Sequence, residues 1–70
     1  MHIKTFIDRL EEISTELTQG ENYWDEQCIQ QRNYADGVQE TLTRLLGVLG
    51  EHYILSPRFI DETLEAIGPY

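Results

Sequence analysis

Seventy residues make one small domain, and thirteen Asp and Glu stand against five Lys and Arg, a net charge of −8. A chain this short buries only about 60% of the surface its unfolded form exposes, so it folds with little margin unless a disulfide, a metal or a partner chain contributes. The acidic balance excludes a direct grip on phosphate backbones or anionic membrane surfaces, which need a basic face, and suits a basic protein partner or plain solubility.

Cysteine usage narrows the setting. Cys28 is the single cysteine, so no internal disulfide can form. Small secreted domains are usually rich in cysteine, which makes a reducing cytoplasm the expected location. The stretch Met1–Arg9 carries charges where a signal peptide would be apolar. No apolar run approaches the roughly 18 residues of a membrane span. Apolar residues at 40% argue against disorder.

The first predicted element is a helix over about residues 3–18. Ile3, Phe6, Ile7, Leu10, Ile13, Ser14 and Leu17 follow the i, i+3, i+4, i+7 rule and fall on one stripe. Lys4, Asp8, Arg9, Glu11, Glu12 and Glu16 fall outside it. Gly20 is expected to end the helix in the left-handed conformation.

A second helix is predicted over about residues 23–49. Asn22 is the expected N-cap, with Asp25 and Glu26 in the first turn. The track Trp24, Cys28, Gln31, Ala35, Val38, Leu42, Leu45 and Leu49 alternates steps of four and three with no phase break. Asp36-Gly37 resembles a turn and offers the rival reading of two shorter helices. The unbroken phase favours one helix, although Gly37 costs it about 1 kcal/mol. Gly50 is the natural stop.

Tyr53-Ile54-Leu55 reads as an apolar connector that packs down. Ser56 and Pro57 then announce a third helix over about residues 57–67, with Ser as N-cap and Pro in the first helical position. Phe59, Ile60, Leu64 and Ile67 make its inner face, and Gly68-Pro69 closes it. The fold class is therefore all-α: a long central helix flanked by two shorter ones, with residues 1–70 forming one helical domain.

Length suggests a layout. At 1.5 Å per residue the helices span about 24, 40 and 16 Å, so helices 1 and 3 laid end to end match helix 2. Such a layer is one helix deep and shields helix 2 poorly. A homodimer that forms a larger helical bundle is therefore expected. The rival is a three-helix monomer with helix 3 folded over the hairpin.

The candidate functional features follow. Asp8, Glu11, Glu12, Glu16, Glu21, Asp25 and Glu26 place seven acids among nineteen residues, with Arg9 as the single base, a local charge of −6. This face could meet a basic partner, or a protein that binds nucleic acid, and it could equally serve only solubility. Tyr23, Trp24, Tyr34, Tyr53, Phe59 and Tyr70 are the second set, since Tyr and Trp are favoured at interfaces. Trp24 and Tyr34 are read as inward-facing, Tyr23 as lying at the stripe's edge, and Ile29 as an exposed residue on the far face. Gln27 and Gln31 lie in or beside the apolar seam, where polar residues can set register. With Tyr23, Trp24, Tyr34, Leu42, Leu45 and Leu46 they form the candidate oligomer or client interface.

Chemistry of other kinds finds little support. His2 and His52 are not at zinc spacing with any cysteine, and Cys28 falls on the inner stripe, where thiols are usually inert. No nucleophile elbow or glycine-rich phosphate loop is present. The sequence thus points away from an enzyme and implies no cofactor, metal or catalytic residue. It points toward a small acidic protein-binding module, regulatory or inhibitory. The alternatives are an escort hairpin that sheaths an apolar helix of a client, or a self-associating subunit.

Overall fold

The computed structural model describes residues 1–68. Three helices account for most of them: α1 (Ile3–Gln19), α2 (Glu26–Leu49) and α3 (Pro57–Ile67). The described residues form a body 37 Å long and 14 Å thin. Pro69 and Tyr70, which the sequence reading placed in a helix stop and in the aromatic set, lie outside the described residues.

The predicted stripe on α1 is the core of the molecule. Ile3, Phe6, Leu10 and Ile13 are fully buried, and Ile7 and Leu17 nearly so. Burying a side chain of this size is worth about 1.5–3 kcal/mol. From α2 the core takes Ala35 and Leu42, from the connector Leu55, and from α3 Ile60 and Ile67, with Cys28, Val38, Leu46 and Leu64 packed at its margin.

The turn after α1 departs from expectation. Gly20 is extended, at φ −69° and ψ 160°, and not left-handed. The chain then makes two overlapping turns, in which the Tyr23 and Asp25 N–H groups donate to the Gly20 and Asn22 carbonyls. These turns consume Asn22, Tyr23 and Trp24. Helix α2 therefore starts at Glu26, and its N-cap is Asp25 and not Asn22: the Asp25 carboxylate accepts from the Gln27 N–H at 2.9 Å.

Beyond that point α2 runs unbroken through Asp36-Gly37, as the phase argument requires. Gly50 ends it at φ 83°, its N–H donating to the Leu46 carbonyl at 2.9 Å. Helix α3 begins as expected, with Pro57 in the first turn and the Ser56 hydroxyl accepting from the Phe59 N–H.

The end-to-end layout does not occur. Residues 1–3 run antiparallel to residues 53–55: the Ile3 N–H donates to the Tyr53 carbonyl at 3.1 Å and the Leu55 N–H to the Met1 carbonyl at 2.8 Å. This clasp draws the start of α1 to the far end of α2. At the other end the Cys28 thiol donates to the Leu17 carbonyl at 3.1 Å. Helix α1 thus lies antiparallel along most of α2, and α3 must lie beside it. Phe6 and Phe59 meet across that boundary. Within one chain the arrangement is the three-helix form with α3 folded over the hairpin. Leu55 packs down as expected, but Tyr53 and Ile54 stay exposed.

Candidate interaction surfaces

Helices α1 and α3 cover adjoining sectors of α2, and the surface left over divides by charge. On the outer side of α1, Asp8, Glu11, Glu12 and Glu16 are all exposed. With Thr15 they line a shallow hollow of about 560 Å³. Glu21, Asp25 and Glu26, also exposed, continue the acidic surface through the turn and onto the first residue of α2.

The basic residues do little to offset this field. Arg9 bonds Glu12 at 3.2 Å, Arg44 bonds Glu40 at 2.7 Å, Arg58 bonds Glu62 at 2.9 Å, and Lys4 lies 3.9 Å from Glu51. The pairs are exposed, so each contributes roughly 0–1 kcal/mol. Their larger effect is on distribution: the charge at residues 40–44 is balanced locally, α3 keeps a small excess from Asp61, Glu62 and Glu65 against Arg58, and most of the acid excess, −6 of the total −8, lies on α1 and the turn.

Trp24 sits at the edge of this acidic surface. It is 81% exposed, so its assignment to the core fails, because the turn takes it out of the α2 phase. Its ring rests edge-on against Tyr23, centroids 4.5 Å apart, and the Arg32 guanidinium lies 4.6 Å from the Tyr23 ring centre. The Arg32–Tyr23–Trp24 stack fixes a large apolar ring in the turn that also carries Glu21 and Asp25. Arg32 Nη1 is buried without a hydrogen-bond partner. A sequence signal for this stack does exist: Tyr23-Trp24 lies between Asn22 and Asp25, two residues that favour turns and caps.

A different surface lies between α2 and α3. Asn33, Tyr34, Gly37, Val38, Thr41, Leu42, Leu45 and Phe59 line a groove of about 520 Å³, with no charged residue among them. Tyr34, expected in the core, is 44% exposed on its wall, and Phe59, expected on the inner face of α3, is 39% exposed. Leu45 is half exposed, and Val48 is 82% exposed one turn beyond. At 100° per residue these positions lie about 140° around α2 from the side that holds α1.

The candidate oligomer or client residues are thus dispersed. Leu42 is buried and Leu46 packs against the core within the chain. Tyr23 and Trp24 belong to the turn. Tyr34 and Leu45 line the groove, and Gln27 and Gln31 line an adjoining hollow with Gln30, Tyr34 and Ala66. Ile29 is half-buried and not the exposed residue expected. The structure adds Gly37, Thr41 and Phe59 to the groove. A turn-like pair within an unbroken helical phase was the available signal for Gly37.

Among the described residues no helix is long and apolar enough to cross a membrane, and no group of three or more His, Cys, Asp or Glu side chains could hold a metal ion. Comparison with protein-family models, curated proteins and solved structures finds no match to this chain.

Proposed function

We propose that this chain is a protein-binding module of regulatory or inhibitory type, and that a basic partner, such as a protein that itself binds nucleic acid, docks on the acidic surface of α1 and the α1–α2 turn. The observation that supports it is the segregation of charge. Seven exposed carboxylates lie along α1 and the turn, where Arg9 bonds Glu12 and Arg32 rests on the Tyr23 ring. The rest of the chain is much nearer balance, with six acids against Lys4, Arg32, Arg44 and Arg58. Trp24 supplies the apolar anchor that charge alone lacks, since buried Trp dominates many interfaces. A reducing cytoplasm suits the lone Cys28.

The test is capture from a nuclease-treated lysate of the source cell. Wild-type protein and the Glu11→Gln/Glu12→Gln/Glu16→Gln variant serve as baits, washed at low and at high salt. A basic protein retained by the wild type at low salt, released at high salt and lost from the variant is the expected result. If the variant holds the same proteins as strongly, the charge-driven reading is wrong.

The groove favours a second reading, in which the chain takes up an apolar helix, either as an escort for a client or through self-association. Binding there should survive high salt and fail when Leu45 becomes polar.

A further inference from the structure

Gly37 has no explanation within the chain. It lies in the middle of α2, where glycine costs about 1 kcal/mol relative to alanine. Its backbone is ordinary helix, and a Cβ placed on it would meet nothing within 4 Å. Neither strain nor crowding inside the molecule calls for glycine. It lies instead on the groove, where a missing side chain lets another backbone come close.

The surrounding pattern says what could come close. Gln30, Tyr34, Gly37, Thr41, Leu45 and Val48 fall on one face of α2, and all are exposed. Their spacing reads nearly the same from either end, with bulk outside and small residues at the centre. The Thr41 hydroxyl donates to the Gly37 carbonyl at 3.0 Å, so Thr41 brings no unmet donor to the face. Beside the groove in sequence stand Asp36, Glu40 and Arg44 on α2 and Arg58, Asp61 and Glu62 on α3, of which Glu40–Arg44 and Arg58–Glu62 are ion-paired. In a chain of net charge −8, this groove combines apolar bulk with an uncharged lining, and none of the seven carboxylates of α1 and the turn lines it. Two copies can meet here without bringing those seven carboxylates into the groove.

We propose that a second copy of this chain occupies the groove, with the two α2 helices antiparallel about a two-fold axis midway between Gly37 and Thr41. Gly37 then faces the partner's Thr41, Tyr34 the partner's Leu45, and Gln30 the partner's Val48. The small pair at the centre brings the axes together, as small residues do where helices pack closely. Tyr34 and Leu45 close over the ends, and each Phe59 gains cover from the other chain. The proposal deepens the groove reading above, naming its occupant, and is independent of the acidic-face reading.

Sedimentation equilibrium of the full chain tests it, with circular dichroism beside it. The wild type should sediment at micromolar concentration with twice the 8.2 kDa chain mass. Gly37→Glu should halve that mass and keep the helical signal, because the site has room and glutamate is the better helix former. A folded wild-type monomer throughout the micromolar range would overturn the proposal, and so would a Gly37→Glu dimer. A client helix would still be open to the groove in the first case, and acidic-face capture would be unaffected in both. Register is read in a Cys28→Ser background by oxidative crosslinking. Tyr34→Cys/Leu45→Cys should form interchain disulfides efficiently. Tyr34→Cys alone crosslinking equally well would overturn the antiparallel arrangement.

Discussion

The ring of Phe6 meets the ring of Phe59 edge-on, with centroids 6.1 Å apart and planes 72° from parallel. The contact ties the first turns of α1 to the start of α3 and holds the two short helices side by side. Phe6 is fully buried and Phe59 is not. Phe6→Ala should therefore cost about 3–5 kcal/mol, most of the stability of a domain this small. Phe59→Ala should cost about 1–2 kcal/mol, from partial burial and the edge contact. Urea unfolding followed at 222 nm checks the difference. Equal losses would mean that α3 does not lie against α1 in this way.

Trp24 is the sole tryptophan, which makes its surroundings directly readable. Its exposure predicts an emission maximum close to that of tryptophan in water, unchanged in position on unfolding. Acrylamide should quench it readily. Iodide should quench it less well than caesium at equal ionic strength, because Glu21, Asp25 and Glu26 repel the anion. Trp24→Ala should alter stability by less than about 0.5 kcal/mol, as surface substitutions do, while weakening capture of a basic partner. A blue-shifted emission that moves red on unfolding would return Trp24 to the interior.

That contrast shows where the sequence was readable. The stripe from Ile3 to Leu17 predicted the buried face of α1, because burial on an amphipathic helix has one period and few rivals. Ser56-Pro57 and Gly50 marked ends of α3 and α2, because caps and stops depend on local backbone chemistry. The start of α2 was harder to place. Trp24 keeps the helical phase by coincidence of spacing, and both Asn22 and Asp25 can cap. The layout of the three helices was set by contacts far apart in sequence, between Met1 and Leu55 and between Phe6 and Phe59, which no local pattern encodes. Ser14 fell on the apolar stripe, and its hydroxyl is indeed buried, without a hydrogen-bond partner. The acidic face was legible as composition, but the neutral groove beside Gly37 emerged only once α3 was in place.

Asp25 joins two roles that substitution can separate. Its carboxylate caps α2 through the Gln27 N–H, and its charge belongs to the acidic turn. Asparagine caps as well as aspartate, whereas alanine does not. Asp25→Asn should leave the thermal midpoint nearly unchanged and reduce only the charge offered to a partner. Asp25→Ala should lose about 1 kcal/mol of stability as well. If both variants are destabilised alike, the charge acting on the helix dipole matters more than the cap.

Gly47 and Gly50 lie three residues apart, and each has open space where a Cβ would stand. Packing alone would therefore predict the same response to alanine at both. Backbone conformation predicts opposite responses. Gly47 is within α2, where alanine should add about 1 kcal/mol of stability. Gly50 holds φ 83° and ψ 174°, a region essentially reserved for glycine, and alanine there should cost about 1–3 kcal/mol. The loss at Gly50 should be felt beyond the helix end. The residues that follow it carry the chain to Tyr53 and Leu55, whose backbone bonds to Ile3 and Met1 hold α1 in place. Thermal melts of the two variants at one concentration read both signs. Hydrogen exchange at the Ile3 and Leu55 amides then shows whether the Gly50 substitution loosens the clasp, and unchanged protection there would confine its effect to the end of α2.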